Sequence, residues 1–315
     1  MFPWVILWSG TDIRTWMMDN VDICAVLCFS YLGMIRYGPW LFTKLLGSGT
    51  EDPAWLRFSM IIWNLFLSAF SFFGMIVIVP PLAKTFWEKG WHDTLCLNNE
   101  ALLYTGTVGS WMGLFAFSKT FELIDTLWLV IQKKKLPPFL HWYHHVSVLT
   151  FAWMSYGVGN STMAIFAAMN ITVHAIMYFY FAICAMGLKK LVRPFAPFIT
   201  SIQILQMVGG SAVTFYSFIV NFSSYQAGIN DVNKLPCGVA KATSRYGCLM
   251  YLSYLYLFSE MFVKSYIKKP APRPRKDKAL RFIFFCLFNT VLKIRKRSDR
   301  TLKSNLSNHL FLNIY

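Results

Sequence analysis

The chain has 315 residues, of which 56% are hydrophobic and 14% are charged, and its mean hydropathy is +0.45. About a quarter of the residues of a soluble domain are charged, so this composition excludes an ordinary soluble protein and indicates a polytopic membrane protein. The net charge of +16 is typical of a nucleic-acid-binding protein. However, 14 of the 30 Lys and Arg lie in residues 264–315 and no nucleic-acid motif accompanies them, which argues against nucleic-acid binding.

Seven apolar stretches are long enough to cross a bilayer, which takes roughly 20 mostly apolar residues. In chain order they are 23–43, 58–83, 101–118, two spans within 137–188 that join near 156–160, 194–230 and 246–266. The first span is the weakest, because Arg36, Gly38 and Pro39 interrupt it. The pattern predicts an all-α polytopic membrane protein with about seven transmembrane helices.

The distribution of basic residues predicts which helix ends face the cytosol. Nine Lys and Arg lie in alternate loops and six in the opposite loops, and the basic C-terminal segment adds to the nine. The positive-inside rule then puts the N-terminus outside the cytosol and the C-terminus in it. We predict an extracytoplasmic segment at 1–22, a seven-helix membrane domain at 23–266 and a basic cytosolic tail at 267–315. Four glycosylation sequons are expected to stay unmodified, at Asn160, Asn170, Asn221 and Asn305.

Four polar clusters interrupt the apolar spans, and each keeps to one helical face. Residues spaced by three or four share a face of an α-helix. Strongly polar groups at membrane depth are costly and usually serve a function. The clusters are Lys119, Glu122, Asp125 and Thr126; His141, His144 and His145; Asn170, His174, Met177, Tyr178 and Tyr180; and Thr200, Gln203 and Gln206. Four such faces on successive spans predict one enclosed polar cavity.

Histidines in such a cavity suit more than one chemistry. A di-iron centre needs histidines in several boxes, more than this chain provides. A single metal ion held by His141, His144 and His145 stays open as an alternative. The favoured hypothesis is catalysis by the side chains without a metal. In it, His144 or His145 attacks or deprotonates a substrate while Asn170, His174 and the glutamines stabilise charge. The sequence leaves the choice between His144 and His145 open.

In order and spacing, the four clusters resemble the motifs of the ELO family of fatty acid elongases. The resemblance covers roughly residues 20–267 and consists of Lys119-x-x-Glu122-x-x-Asp125-Thr126, His141-x-x-His144-His145, Asn170-x-x-x-His174-x-x-Met177-Tyr178 and Thr200-x-x-Gln203-x-x-Gln206. One departure is Phe181, where the family usually has tyrosine. The resemblance implies a very-long-chain 3-oxoacyl-CoA synthase of the endoplasmic reticulum membrane. It also implies that six of the seven helices form a barrel around a closed-ended acyl tunnel.

The resemblance further implies a reaction in two halves. His144 takes the acyl group of a long-chain acyl-CoA as an acyl-imidazole, and His174 lies across from it. Malonyl-CoA then loses CO2, and its enolate attacks the acyl carbon to give a 3-oxoacyl-CoA two carbons longer. The reaction is expected to need no metal and no cofactor besides its two substrates. Cys96 and Cys237 resemble a pair that joins two lumenal segments in some relatives.

Substrate contacts and partners are expected on the same basis. Lys133, Lys134 and Lys135 either attract the phosphates of CoA or only form a positive-inside loop, and both alternatives stay open. Leu136 and the pair Trp142-Tyr143 resemble members that act on saturated and monounsaturated chains. The expected partners, besides membrane lipid, are the 3-oxoacyl-CoA reductase, dehydratase and enoyl reductase of the elongation cycle.

Two other functional classes fit the polar clusters. A transporter or channel would line a permeation path with them and would need no nucleophile. A metal-dependent lipid oxidoreductase would use the histidines as ligands. The order and spacing of all four motifs favour the elongase over both.

Overall fold

The computed structural model describes residues 9–46, 53–97, 100–132 and 136–267. The lysines at 133–135, the sequon at Asn305 and the predicted tail after Ile267 therefore lie outside the described residues. All regular structure in the described ranges is helical. The α-helices are α1 (Gly10–Asp19), α2 (Val21–Leu46), α3 (Ala54–Cys96), α4 (Glu100–Tyr104), α5 (Gly106–Phe121), α6 (Ile124–Ile131), α7 (Phe139–Val158), α8 (Met163–Ile183), α9 (Lys189–Val192), α10 (Ala196–Val220), α11 (Phe222–Gln226) and α12 (Lys241–Phe262). Short π-helical turns follow α8 and α12, at Cys184–Leu188 and Val263–Ile267, and a 3-10 turn precedes α10 at Arg193–Phe195.

Three continuous helical stretches are long and apolar enough to cross a membrane, namely Val21–Leu46, Ala54–Cys96 and Met163–Val220. This confirms the predicted all-α membrane protein. α7 and α12, with 20 and 22 residues, also have the length of a single span. The total of seven spans stays a prediction.

Two helices differ from what the sequence predicts. α2 runs from Val21 to Leu46 without a break, although Pro39 lies inside it. Membrane helices tolerate proline when neighbouring groups satisfy the freed backbone. α1 forms where only an extracytoplasmic segment was predicted, and the Ser9 side chain caps it together with Asp12. It packs against α5 and α7, and the Trp153 indole donates a hydrogen bond to the carbonyl of Met17 (2.6 Å).

Six of the helices contact one another in a closed cycle, in which each helix packs against the next and the last packs against the first. α3 packs against α8, α8 against α10, α10 against α12, α12 against α7, α7 against α5, and α5 against α3. α2 stands apart from this cycle and packs against α6 and α7. The cycle of six helices is defined here as the helix ring.

One end of the helix ring is held together by a disulfide and by buried amides. α3 bends at Gly90, which has a φ of 78°, and continues to Cys96, which is disulfide-bonded to Cys237. The Asn221 side chain donates to the Cys237 carbonyl (2.6 Å) and accepts from the Cys237 N–H (2.8 Å). The Asn160 side chain donates to Thr243 (2.8 Å) and accepts from a backbone N–H (3.0 Å). Both sequon amides are therefore buried and hydrogen-bonded.

We expect the disulfide to stabilise this end against thermal unfolding. Replacing Cys96 and Cys237 together by serine should lower the free energy of unfolding by about 2–4 kcal/mol, because the bond closes a long loop. The measurement is thermal unfolding of the purified protein in detergent. Cys248→Ser, which removes a free cysteine, is the matched control and should leave the midpoint unchanged. Equal midpoints for the double variant and the control would contradict the prediction.

Candidate active site

A buried ion pair lies where α5 gives way to α6. The helix is interrupted at Glu122 and Leu123, between Phe121 and Ile124. The Lys119 ammonium donates to Oε1 of Glu122 at 2.5 Å, and the two residues are only 2% and 3% exposed. The ammonium also lies 4.4 Å from the centre of the Phe115 ring, in a cation–π contact. Two opposite charges at membrane depth are thus paired instead of facing lipid.

The same ammonium orients a chain of side chains on α8. Lys119 donates to Oδ1 of Asn170 (2.8 Å), so the Asn170 amide nitrogen is the group facing Nε2 of His174 (3.1 Å). An amide nitrogen only donates, so Nε2 of His174 is the acceptor, and neutral His174 carries its proton on Nδ1. That Nδ1 lies 3.7 Å from Oε1 of Glu122. The lysine therefore fixes both the amide orientation and the histidine tautomer.

Asp125 does not join the Lys119–Glu122 pair, although the spacing of three residues allowed it. Its Oδ1 accepts from the Trp63 indole (2.6 Å) and its Oδ2 from the Tyr178 hydroxyl (2.6 Å). The interruption of the helix before Ile124 explains this, because Asp125 belongs to a new helical segment. Asp125 thereby connects α3, α6 and α8. Nothing in the sequence distinguishes Trp63 from the many apolar residues around it.

His141, His144 and His145, called the histidine box here, lie in two different environments. His144 lines an internal cavity together with Lys119 and Asn170. His141 instead shares a hydrogen bond through Nε2 with the hydroxyl of Thr126 (2.8 Å). His145 is 6% exposed, and its Nδ1 is buried without a hydrogen-bond partner.

The His145 ring lies between the other two. Its centroid is 4.6 Å from that of His141 and 5.5 Å from that of His144, with edge-to-face geometry in both cases. Tyr31 of α2, whose hydroxyl bonds to Thr126 (2.7 Å), closes the far side of this group. α2 therefore contributes to the surroundings of the box although it lies outside the helix ring.

The backbone that carries His144 is anchored from α12. The Tyr254 hydroxyl donates to the His144 carbonyl (3.2 Å) and bonds to the Ser147 hydroxyl (2.6 Å). The Tyr254 ring lies 5.1 Å from the His144 ring, centre to centre. Neither Tyr254 nor Ser147 is predicted from the sequence, because a tyrosine in an aromatic-rich span is not distinctive.

The remaining predicted residues lie at different distances from this centre. Gln206 lines the cavity. Gln203 donates to the sulfur of Met177 (3.1 Å). Thr200 bonds to the Tyr266 hydroxyl (3.2 Å). Tyr180 is half-buried, packs beside the Phe181 ring and does not join the Lys119 network.

The cavity has a polar part and an apolar part. Lys119, His144, Asn170 and Gln206 form the polar part. The apolar part is lined by Phe115, Val148, Phe151, Ala152, Met163, Phe166, Met207 and Met250, with the rings of Tyr251 and Tyr254 beside them. Met163 opens α8, close to the chain segment that bonds to the disulfide end. The cavity therefore suits a ligand with a reactive polar head and an apolar chain.

The described residues do not bring His, Cys, Asp or Glu side chains together in a set of three that could hold a metal ion. His141, His144 and His145 are neighbours in space, yet His141 already uses Nε2 for Thr126. The predicted alternative of one metal ion held by this box thus lacks a convergent ligand set.

Comparison with known proteins gives one family over most of the chain. Residues 16–274 match the model of the GNS1/SUR4 family (ELO). The chain is 50% identical over 278 residues to Fatty acid elongase 2 of Trypanosoma brucei brucei, covering 88% of this chain and 100% of that protein. It is 49% identical to Fatty acid elongase 2 of Trypanosoma cruzi, covering 87% and 98%, and 47% identical to Fatty acid elongase 1 of T. brucei brucei, covering 84% and 88%. No solved structure matches the chain.

Removing one charge of the buried ion pair should destabilise the protein strongly. Lys119→Met leaves the Glu122 carboxylate buried without its partner, and we expect a loss of about 3–5 kcal/mol in the free energy of unfolding. The double variant Lys119→Met/Glu122→Gln should recover part of that loss. Thermal unfolding in detergent measures both.

A matched exposed pair provides the control for this experiment. Lys84 and Glu88 are 3.8 Å apart on the surface of α3, with side chains 73% and 56% exposed. Lys84→Met should cost less than about 1 kcal/mol, because water screens exposed pairs. Equal effects of Lys119→Met and Lys84→Met would show that the buried pair is not what stabilises the site.

Proposed function

Because this chain belongs to the GNS1/SUR4 (ELO) family and is a fatty acid elongase, we propose that His144 is the nucleophile that carries the acyl group. The enzyme condenses an acyl-CoA with malonyl-CoA to a 3-oxoacyl-CoA, CO2 and CoA. One observation supports the choice of His144 above all. Of the three histidines in the box, His144 is the one that lines the cavity.

Two polar groups beside His144 are suited to stabilise an oxyanion. The ammonium of Lys119 has three N–H donors, of which Glu122 and Asn170 occupy two. The amide nitrogen of Asn170 has two, of which His174 occupies one. These bonds leave one N–H of each residue over, and both residues line the cavity together with His144. Donors held in place in a water-poor site contribute strongly to acyl transfer.

The apolar part of the cavity supports its assignment to the acyl chain. From His144 to Ala152, α7 advances eight residues, or about 12 Å, along the cavity wall. Met163 and Phe166 line the same apolar part from α8. We propose that the helix ring is the predicted barrel. Its acyl tunnel then ends near the disulfide between Cys96 and Cys237, with the CoA group at the opposite, cytosolic end.

The reaction then proceeds in two halves on one residue. The free nitrogen of His144 attacks the thioester, and CoA leaves with a proton. Decarboxylation of malonyl-CoA generates the enolate that displaces His144 from the acyl carbon. The condensation needs no external oxidant or reductant. We therefore propose that the reaction uses no metal or redox cofactor. A water-poor cavity protects the acyl-imidazole from hydrolysis.

Further sequence features bear on the substrates, partners and location of the enzyme. We propose saturated and monounsaturated chains as substrates, on the basis of Leu136 and the pair Trp142-Tyr143. Lys133, Lys134 and Lys135 are proposed contacts of the CoA phosphates. The three other enzymes of the elongation cycle are the proposed partners. The proposed location is the endoplasmic reticulum membrane, with the N-terminus in the lumen and the C-terminus in the cytosol.

An acyl adduct on His144 is the direct test. The purified protein in detergent, given saturated and monounsaturated acyl-CoAs without malonyl-CoA, should gain the mass of one acyl group. Intact-protein and peptide mass spectrometry should find that mass on His144. His144→Gln should abolish the adduct, while His92→Gln, which changes an exposed histidine bonded to Tyr216, should leave it unchanged.

Two outcomes would contradict the assignment of His144 as the nucleophile. If no chain length gives an adduct but malonyl-CoA still yields a 3-oxoacyl product, the histidine acts as a base in a direct condensation. An adduct that persists in His144→Gln and disappears in His145→Gln would move the nucleophile to His145.

The orientation can be tested with two exposed positions at opposite ends of the molecule. Leu136 precedes α7, and Asn230 follows α11; both are exposed. In sealed microsomes, a membrane-impermeant maleimide should label Leu136→Cys above the background of the parent. Asn230→Cys should be labelled only after permeabilisation. The reverse pattern would invert the proposed orientation.

A further inference from the structure

Each catalytic cycle takes up one proton, and that proton must reach His144. In the first half-reaction, a nitrogen of His144 bonds to the acyl carbon, the C–S bond breaks, and the imidazole proton leaves on the CoA thiol. In the second, malonyl-CoA loses CO2, and the freed electron pair forms the C–C bond. The acyl C–N bond breaks and leaves an imidazolide. A proton from outside the cavity must therefore reach His144 once per turnover.

The timing of that proton matters for the rate. Neutral imidazole is a far better leaving group than the imidazolide anion. Protonation of the second ring nitrogen of the acyl-imidazole, at or before C–N cleavage, therefore accelerates the second half-reaction. A general acid next to His144 would supply this assistance.

Lys119 is poorly placed as the recurrent source. Its ammonium is held by Glu122 and Asn170, and the residue is 2% exposed. Loss of its proton would also leave the Glu122 carboxylate buried without a cation, which is costly. His174 uses Nε2 to accept from Asn170. The Lys119 network is therefore built to hold charge in place.

His145 has the features of a proton carrier. It touches the His144 ring edge-on, yet it does not line the cavity. Its Nδ1 is buried and has no hydrogen-bond partner. Buried polar atoms are normally satisfied, so this one calls for an explanation. The terminal torsion of histidine is broad, so a turn of the ring, or one bridging water, can join Nδ1 to a neighbouring imidazole.

His141 completes a route away from the cavity. Its ring is 4.6 Å from that of His145, and it lies in the first turn of α7, where it is only partly buried. The hydrogen bonds from His141 Nε2 to Thr126 and from Thr126 to Tyr31 hold the ring in place. Its second nitrogen, Nδ1, is left for exchange with solvent or with His145.

From this arrangement we infer that His141 and His145 form a proton-uptake relay that reprotonates His144 during condensation. The relay rests on the proposed role of His144 and deepens it. It gives two members of the box a function without substrate contact. Both are positioning and proton-transfer residues that act through His144.

The test separates the two half-reactions in the full-length protein. The first half-reaction is measured as the rate of acyl-adduct formation from acyl-CoA alone. The second half-reaction is measured as the rate of a single turnover after isolated acyl-enzyme is mixed with malonyl-CoA. His145→Gln and His141→Gln should leave the first rate unchanged. They should slow the second at least about 10-fold, because general acids contribute about 10²–10⁴-fold. Glutamine at 141 can still bond to Thr126, and His92→Gln is the matched control.

Rescue distinguishes proton transfer from packing. His145→Ala leaves room for a small base, and added free imidazole should restore its second half-reaction without changing the first. Equal slowing of both half-reactions, or no slowing in either, would overturn the relay. If the parent forms acyl-enzyme on His144 while the variants behave like the parent, the relay fails and the proposed function stands. If the parent forms no acyl-enzyme, both fail.

Discussion

The buried ion pair between Lys119 and Glu122 is the interaction on which the rest of the site depends. Moving an ammonium and a carboxylate out of water costs several kcal/mol per ion, and their attraction offsets this only if the remaining donors and acceptors are also satisfied. The Asn170 amide meets part of that requirement for Lys119, and the His174 imidazole lies 3.7 Å from Oε1 of Glu122, whereas Oε2 of Glu122 is buried without a hydrogen-bond partner among the described residues. The pair thus dictates which polar groups surround the cavity and how each one is oriented.

The position of α7 is the second constraint, and it divides the box. The Tyr254 hydroxyl holds the His144 backbone from one side, and Thr126 holds the His141 ring from the other. Residues at i, i+3 and i+4 share a helical face, but that face is wide enough for its residues to contact different neighbouring helices. His144 consequently lines the cavity, whereas His141 and His145 face α2 and α6. Spacing alone could not distinguish the three.

The sequence was sufficient to predict helical class and the break between α7 and α8. These features follow from hydropathy and from glycine, such as Gly159, which ends α7 in the left-handed conformation. The partners of the clusters were beyond reach, because they depend on tertiary packing. Trp63, Tyr31 and Tyr254 each contribute one polar atom to these contacts. They are aromatic residues in apolar helices, and the neighbouring sequence does not distinguish them from other aromatic residues. α1 was not predicted because it precedes the first apolar stretch; its local signal is the capping pair of Ser9 and Asp12, and its packing against α5 and α7 depends on tertiary structure.

The covalent acyl intermediate proposed on His144 accounts for the difference between the two ends of the cavity. An acyl-imidazole hydrolyses if water reaches it, so its chain must fill an apolar space that is closed behind it. The disulfide and the buried amides of Asn160 and Asn221 close the structure at the end where the apolar part lies. The polar end must stay open to two successive CoA esters and must also admit one proton per cycle. The inferred relay through His141 and His145, which lie behind His144 and outside the cavity lining, meets both demands, since imidazole passes protons without requiring a continuous column of water beside the intermediate.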